Sequence, residues 1–282
     1  HDVSDAVRVA NTTRYGHATR DSIYSAPRFV GSSTLVRPQT QSRDTVDTIL
    51  LNQTNVFADF ATGGLRHDLI AGFEISGEKS RNQLRQITDG TPTDLFDPDP
   101  ERPWDGTIVD IPGAVVRARA DTMAAYLFNT IHFSDQLLFS GGIRWERLET
   151  LYQAAPSDPP LPDLERTDET VTWRAGVTYK PVRALSLYAG AGTSVNPSLE
   201  TLTQHNYNAA LAALKPEKSR TYEVGAKWDG FGGRLLLTTA LFRTDKTNAR
   251  TAEIAGEPAQ VLEGKLVARE LARLVALEQG VG

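Results

Sequence analysis

Leu137-Leu138-Phe139-Ser140-Gly141-Gly142-Ile143-Arg144-Trp145-Glu146-Arg147 carries the deciding pattern: from Leu137 to Trp145 the odd positions are apolar or glycine, and the even ones from Ser140 are small or charged. One face is apolar and the other polar. The rhythm returns in Val171, Trp173, Ala175, Val177 and Tyr179 against Thr172, Arg174, Gly176, Thr178 and Lys180. It returns again in Leu185, Leu187, Ala189 and Ala191 against Ser186, Tyr188, Gly190 and Gly192. Successive side chains of a strand point to opposite faces, so the spacing predicts half-buried β-strands. Alternation alone fits both an antiparallel sandwich and the wall of a transmembrane β-barrel. Length favours the barrel. Residues 137–152, at roughly 3.3 Å per residue and a tilt near 45°, rise about 35 Å, more than the ~30 Å hydrocarbon layer of a bilayer. Sandwich strands are usually about 5–6 residues long.

Working outward, Asp5 to Tyr15 is a strand candidate and Gly16 to Arg43 a polar connecting segment. Thr45 to Ala61 is β-rich and ends at Thr62-Gly63-Gly64, where glycine supplies the positive φ of a tight hairpin. Leu69 to Ser76 turns back. Leu84 to Ala120 holds so many prolines and acids that a long loop is expected. Within it Asp97, Asp99 and Glu101 hint at calcium, but prolines interrupt the spacing and the glycine and flanking helices of an EF-hand are missing, so no metal site is expected. Asp121 to Phe133 resumes the sheet, and Ser134-Asp135-Gln136 leads into the Leu137 strand. Ala154 to Arg166 is a loop, Lys180 to Ala184 a short turn and Ser194 to Pro216 a long connection. Ser219 to Trp228 turns through Asp229-Gly230-Phe231-Gly232-Gly233 into Arg234 to Lys246.

These strand candidates are joined by connections that alternate long and short along the chain. Long loops on one rim and short turns on the other describe an outer-membrane barrel, and a sandwich has no reason to keep that parity. The fold expected is therefore all-β, an antiparallel meander of long strands forming part of a transmembrane barrel over residues 1–265. The spacing of Leu266, Leu271, Leu274, Val275 and Leu277 predicts an amphipathic helix in a divergent tail, residues 266–282, where barrel parity calls for a descending strand.

Composition narrows the function classes. The net charge of −5 argues against a nucleic-acid partner. Cysteine is absent, which excludes disulfides, thiolate metal sites and cysteine nucleophiles. Mean hydropathy is negative, yet a barrel shows lipid only every second residue, so this leaves a membrane location open. The chain begins at His1 without an initiator Met or the pattern of a secretory signal, and a processed chain or a piece of something longer is expected. The five histidines are scattered, with no nucleophile motif beside them, and no catalytic residue is assigned.

Leu214-Lys215-Pro216-Glu217-Lys218-Ser219, Tyr222-Glu223-Val224-Gly225-Ala226-Lys227 and Phe242-Arg243-Thr244-Asp245-Lys246-Thr247-Asn248-Ala249-Arg250 together resemble the barrel of TonB-dependent siderophore receptors. Asn52-Gln53-Thr54-Asn55, His67-Asp68-Leu69-Ile70-Ala71-Gly72-Phe73-Glu74, Leu187-Tyr188-Ala189-Gly190 and Asn196-Pro197-Ser198 fit the same pattern, closest to the catecholate-siderophore branch. The resemblance implies import of ferric siderophores across the bacterial outer membrane, energised by the TonB complex, with the siderophore as cargo and no resident cofactor. Such receptors have about 22 strands around a plugged lumen. The plug, the TonB-contacting box and the closing strands have no counterpart here, so the expectation is an interior barrel fragment that does not perform the transport alone. The alternative is a soluble β-sandwich that binds a ligand or glycan, with Trp145, Trp173 and Tyr179 shielded by a second sheet.

Anionic, often aromatic ferric siderophores call for cations and ring faces on the outer rim and upper lumen. Parity places Tyr152 and Arg174 on the lumenal side, with Arg144 deeper and Glu223 beside them; Arg102, Trp104 and Tyr207 are the loop candidates. Against a ligand role, Arg144 and Arg174 are also placed to pair with Glu146 and Glu223 in a lumenal charge ladder. Trp145, Trp173 and Trp228 lie on apolar faces and are expected at the lipid interface.

Overall fold

The computed structural model describes residues 1–31, 34–99, 101–197, 215–248 and 266–271. Its strands are β1 (Asp2–Ser4), β2 (Val7–Phe29), β3 (Leu35–Thr62), β4 (Leu65–Thr88), β5 (Thr93–Asp94), β6 (Thr107–His132), β7 (Leu137–Gln153), β8 (Leu164–Val182), β9 (Leu185–Asn196), β10 (Glu217–Gly230), β11 (Leu235–Thr247) and β12 (Leu266–Leu271). All belong to one antiparallel sheet in chain order, with the two-residue β5 set aside against the start of β3. Among the described residues there is no helix, and no pairing joins β12 back to β1 or β2, so the wall is open.

Register turns the sequence alternation into two faces. Trp145 stands opposite Ala125 and Val171, Ile143 opposite Leu127 and Trp173, and Phe139 opposite Ile131 and Val177. The apolar rows thus align across neighbouring strands. Among the described residues no second sheet covers them: Ile143 is 51% exposed, Trp173 40% and Tyr179 45%. This overturns the soluble sandwich, whose aromatics would be sealed. The short rim is built by tight turns, such as Gly63 and Gly64 at φ of 59° and 84° between β3 and β4, a backbone that only glycine adopts without strain.

All the expected strands are present, but two expected loops shrink. Gly16 to Arg43 is mostly sheet: β2 runs 23 residues and β3 28, paired from Val7–Ala58 to Phe29–Val36. Leu84 to Ala120 is likewise strand up to Thr88 and again from Thr107, with Pro112 at an irregularity where the β4–β6 register shifts between Gln83 and Arg85. A bilayer needs only about 9–11 residues of tilted strand, so these hairpins continue well past it. There both faces meet water and no apolar alternation marks them. Residues 266–271, expected to open a helix, are instead extended as β12 and pair with Leu241–Lys246 of β11, the descending strand that parity required. The remainder of the tail lies outside the described residues.

Candidate functional site: the inner face of the wall

The even-numbered positions of β6 to β8 and their register partners form the inner face, where polar groups are tied into one network. Arg144 Nη2 donates to Glu74 Oε1 at 2.9 Å and to Glu146 Oε2 at 2.7 Å, and its Nε reaches the same Glu146 oxygen at 3.0 Å. Glu74 also accepts from Gln53 Nε2 at 3.4 Å, which donates to Tyr126 Oη at 2.6 Å; that hydroxyl donates to Asn55 Oδ1 at 2.6 Å. The chain of bonds spans β3, β4, β6 and β7, and the guanidinium of Arg144 lies 5.5 Å from the Tyr126 ring centre.

Aromatic rings on this face are seated over glycines of the next strand. A Cβ on Gly72 would fall 2.2 Å from Tyr126, one on Gly142 would fall 1.7 Å from Phe128, and one on Gly225 2.5 Å from Tyr188. Each ring occupies the space that a side chain would take. The arrangement also places the polar tips: Tyr126 reaches Asn55, the other register partner of Gly72, and Tyr188 Oη donates to Glu223 Oε1 at 2.6 Å. Arg174, the other partner of Gly142, lies over Phe128 at 4.2 Å from the ring centre.

Of the sequence-derived candidates, Arg144 and Arg174 share the inner face two residues apart in register, but in the reverse of the expected order: Arg174 is level with Gly142 and so lies nearer the short rim than Arg144, because β7 climbs from that rim. Arg144 does pair with Glu146, and with Glu74 as well; Arg174 takes the Phe128 ring, while Glu223 binds Tyr188. Tyr152 is 7% exposed, packed with Val116 and Ala118 beneath Ala154, Ala155 and Leu164, so its ring helps close the upper wall. Arg102 and Trp104 lie in the β5–β6 connection, away from the lower inner face. Arg102 Nη1 donates to the Pro92 carbonyl at 3.2 Å and its Nη2 lies 3.5 Å from Asp105, and Trp104 is 47% exposed beside Gly90 and Gly106. Tyr207 lies outside the described residues. Sequence reasoning did not single out Gln53, Asn55 or Tyr126; their signal was position on the polar side of the alternation, which register alone converts into contact.

Above the apolar belt the hairpins are held by a second charge cluster on the opposite, outer face. Arg85 bonds Asp21 at 2.7 Å, Asp110 at 2.8 Å, Asp44 at 3.4 Å and Ser42 Oγ at 2.9 Å. The Arg85 hydrogen bond holds the Asp21 carboxyl below the usual carboxylate range, and the Asp21 and Asp110 partners push the guanidinium further up. In the β4–β6 loop, Asp105 accepts from Thr91 through both Oγ1 and the backbone N–H, which lowers its pKa. Asp99 is taken up by the Glu101 N–H at 3.0 Å, and among the described residues no group of three or more acidic or histidine side chains is arranged to hold a metal.

The family model described as "TonB dependent receptor-like, beta-barrel" matches residues 1–262. A probable TonB-dependent receptor, BfrD of Bordetella pertussis, is 29% identical over all of this chain and 40% of its own length. The catecholate siderophore receptor Fiu of Escherichia coli is 28% identical over 88% of this chain and 37% of its own. The crystal structure of the siderophore receptor PiuA from Acinetobacter baumannii superposes with a TM-score of 0.80 at 26% identity, covering 89% of this chain and 39% of that one. The ferric-catecholate import receptor Fiu in its closed form superposes at 0.75, also at 26% identity, over 91% of this chain and 41% of that one. The chain spans about two fifths of the length of the curated relatives it matches.

Proposed function

The chain belongs to the TonB-dependent receptor β-barrel family, whose members are receptors of the bacterial outer membrane and not enzymes, and from that premise we propose that it forms part of a ferric siderophore uptake receptor. The match of residues 1–262 to the barrel model is the observation that carries this reading. The catecholate branch is the ligand class it favours, since Fiu bears that name and aligns over most of the chain. Arg174 over the Phe128 ring offers a cation and a ring face suited to an anionic, aromatic iron complex, whereas Arg144 is already held between Glu74 and Glu146. Iron and siderophore are cargo here, and the remaining strands, the plug and the contact with the TonB complex belong to the full receptor.

The test is a chimera in which residues 1–262 replace the matching barrel segment of the E. coli receptor, expressed in cells lacking their own catecholate receptors. Uptake of radiolabelled iron as the ferric catecholate, abolished when TonB is deleted, is expected. A chimera that reaches the outer membrane folded but neither binds nor imports any ferric siderophore overturns the proposal.

A further inference from the structure

One register row of the outer face runs Val171, Trp145, Ala125, Phe73, Thr54, Asn11, and it changes character at its last two members. The next outward row ends the same way, in Ile75, Asn52 and Thr13. Four polar side chains thus stand on the lipid side of β2 and β3. They lie inside the apolar belt and not at its border: on β2 the outward positions read Val7, Val9, Asn11, Thr13, Tyr15, and on β3 Ala58, Val56, Thr54, Asn52, Leu50. Both strands spell Asn-x-Thr, as Asn11-Thr12-Thr13 and Asn52-Gln53-Thr54, and antiparallel pairing sets each asparagine opposite the other strand's threonine.

The four groups form a closed island. Asn11 Nδ2 donates to Asn52 Oδ1 at 3.1 Å and to Thr54 Oγ1 at 2.7 Å. Asn52 Nδ2 returns both bonds, to Asn11 Oδ1 at 3.1 Å and to Thr13 Oγ1 at 2.7 Å. Both hydrogens of each amide are used. The two hydroxyl hydrogens are not, and each asparagine oxygen keeps a lone pair, since it accepts a single bond among the described residues. Hydrocarbon answers neither. Spare donors beside spare acceptors are self-complementary, the property that a contact between two identical faces requires.

Shape repeats the pattern. Tyr15 stands just above the island, 70% exposed. In its register row the next outward residues are Leu50 and then Gly77, which offers no side chain, and there a groove of about 520 Å³ opens among Leu50, Asn52, Ile75 and Gly77. A projecting ring and a hollow therefore flank Leu50 on one patch. A two-fold axis along the membrane normal turns each ring toward the side on which the other copy is hollow.

We propose that two copies of this chain associate in the membrane through the outer face of β2 and β3, with Asn11, Thr13, Asn52 and Thr54 of each copy meeting those of the other at the centre of the contact. Polar side chains join membrane segments because hydrocarbon offers them no competing partner. The contact requires only that the outward face meets lipid and is independent of what the lumen carries.

The chain holds no cysteine, so one introduced thiol reports one position. Full chains carrying Leu50→Cys, or Ala175→Cys four strands away on the same face, are labelled with a nitroxide and reconstituted in phosphatidylcholine vesicles. Folding is checked by far-ultraviolet circular dichroism. Pulsed electron paramagnetic resonance is expected to give a well-defined distance between copies that is shorter from Leu50→Cys than from Ala175→Cys. Asn11→Leu with Asn52→Leu is expected to weaken association on the order of 10-fold or more. Thr13→Val with Thr54→Val, which removes the spare donors and keeps the side-chain shape, is expected to act in the same direction and serves where the leucine pair does not fold. A chain that stays monomeric at every protein-to-lipid ratio overturns the proposal and leaves lipid over the island. Equal distances from the two labels overturn it in favour of unspecific crowding. Folded variants that associate as tightly as the parent overturn it as well, and assign the association to the open strand edges.

Discussion

At the scale of single residues, Gly142 shows how a missing side chain fixes the chemistry around it. Its two register partners on the inner face are Phe128 and Arg174, and the Phe128 ring fills the space above the glycine while Arg174 lies 4.2 Å from the ring centre. A valine there forces the ring out of a seat that sits 1.7 Å from the new Cβ, an overpacking that costs about 1–3 kcal/mol. Gly142→Val is therefore expected to lower the guanidinium midpoint of the folded protein, with most of the loss recovered when Phe128→Ala is added. A single variant as stable as the parent would show that the ring is not seated as described. The sequence makes Gly142 visible only as a small residue on the polar side of a strand, because the partner that fills it is 14 positions away and is set by register. Arg144 is intermediate: its pairing with Glu146 is foreseeable from two-residue spacing, whereas the bond to Glu74 joins strands that are not neighbours.

At the scale of elements, the strands inside the belt are legible and their extensions are not, for one physical reason. Hydrocarbon on one side and water on the other impose alternation on residues such as Val171 to Tyr179, while Asp21, Asp44 and Arg85 lie where both faces are wet and bonding is by charge. The same holds for the β4–β6 connection, where Pro98 and Pro103 correctly mark a loop but give no hint of its internal fastening. That fastening is acidic. The Thr91 hydroxyl and N–H hold Asp105, and the Phe96 N–H together with Thr34 Oγ1 holds Asp94, so both carboxyls titrate below their ordinary range. A depressed folded pKa contributes stability that is fully present above the unfolded value of about 3.9 and is lost as pH falls through the folded one. Amide protection factors at Thr91 and Phe96 are expected to stay constant down to about pH 4 and to fall below it, with Asp105→Asn abolishing the transition at Thr91 alone. Protection that declines already between pH 7 and 5 would assign the fastening to other groups.

At the scale of the whole molecule, the architecture turns on which side of the wall meets lipid. Chain order, the parity of long and short connections and the outward aromatics all follow from that, and the same parity that was readable in the sequence placed β12 where a descending strand belongs. An open wall also leaves edge strands with unpaired backbone groups, which hydrocarbon does not tolerate, so the described sheet needs further pairing to complete a barrel. The two faces can be told apart by one kind of substitution made on either side. Ala175 lies midway along the outward row from Val171 to Tyr179, and Thr178 faces inward, paired with Leu138 and Tyr188. An arginine at the bilayer midplane costs about 2–4 kcal/mol, and one facing the lumen keeps its water. Ala175→Arg is expected to lose that much unfolding free energy in phospholipid vesicles, and Thr178→Arg less than about 1 kcal/mol. Equal losses at the two sites would mean that neither face meets hydrocarbon. The reverse order would turn the wall inside out, moving the rings over Gly72, Gly142 and Gly225 to the lipid and taking the proposed cargo surface with them.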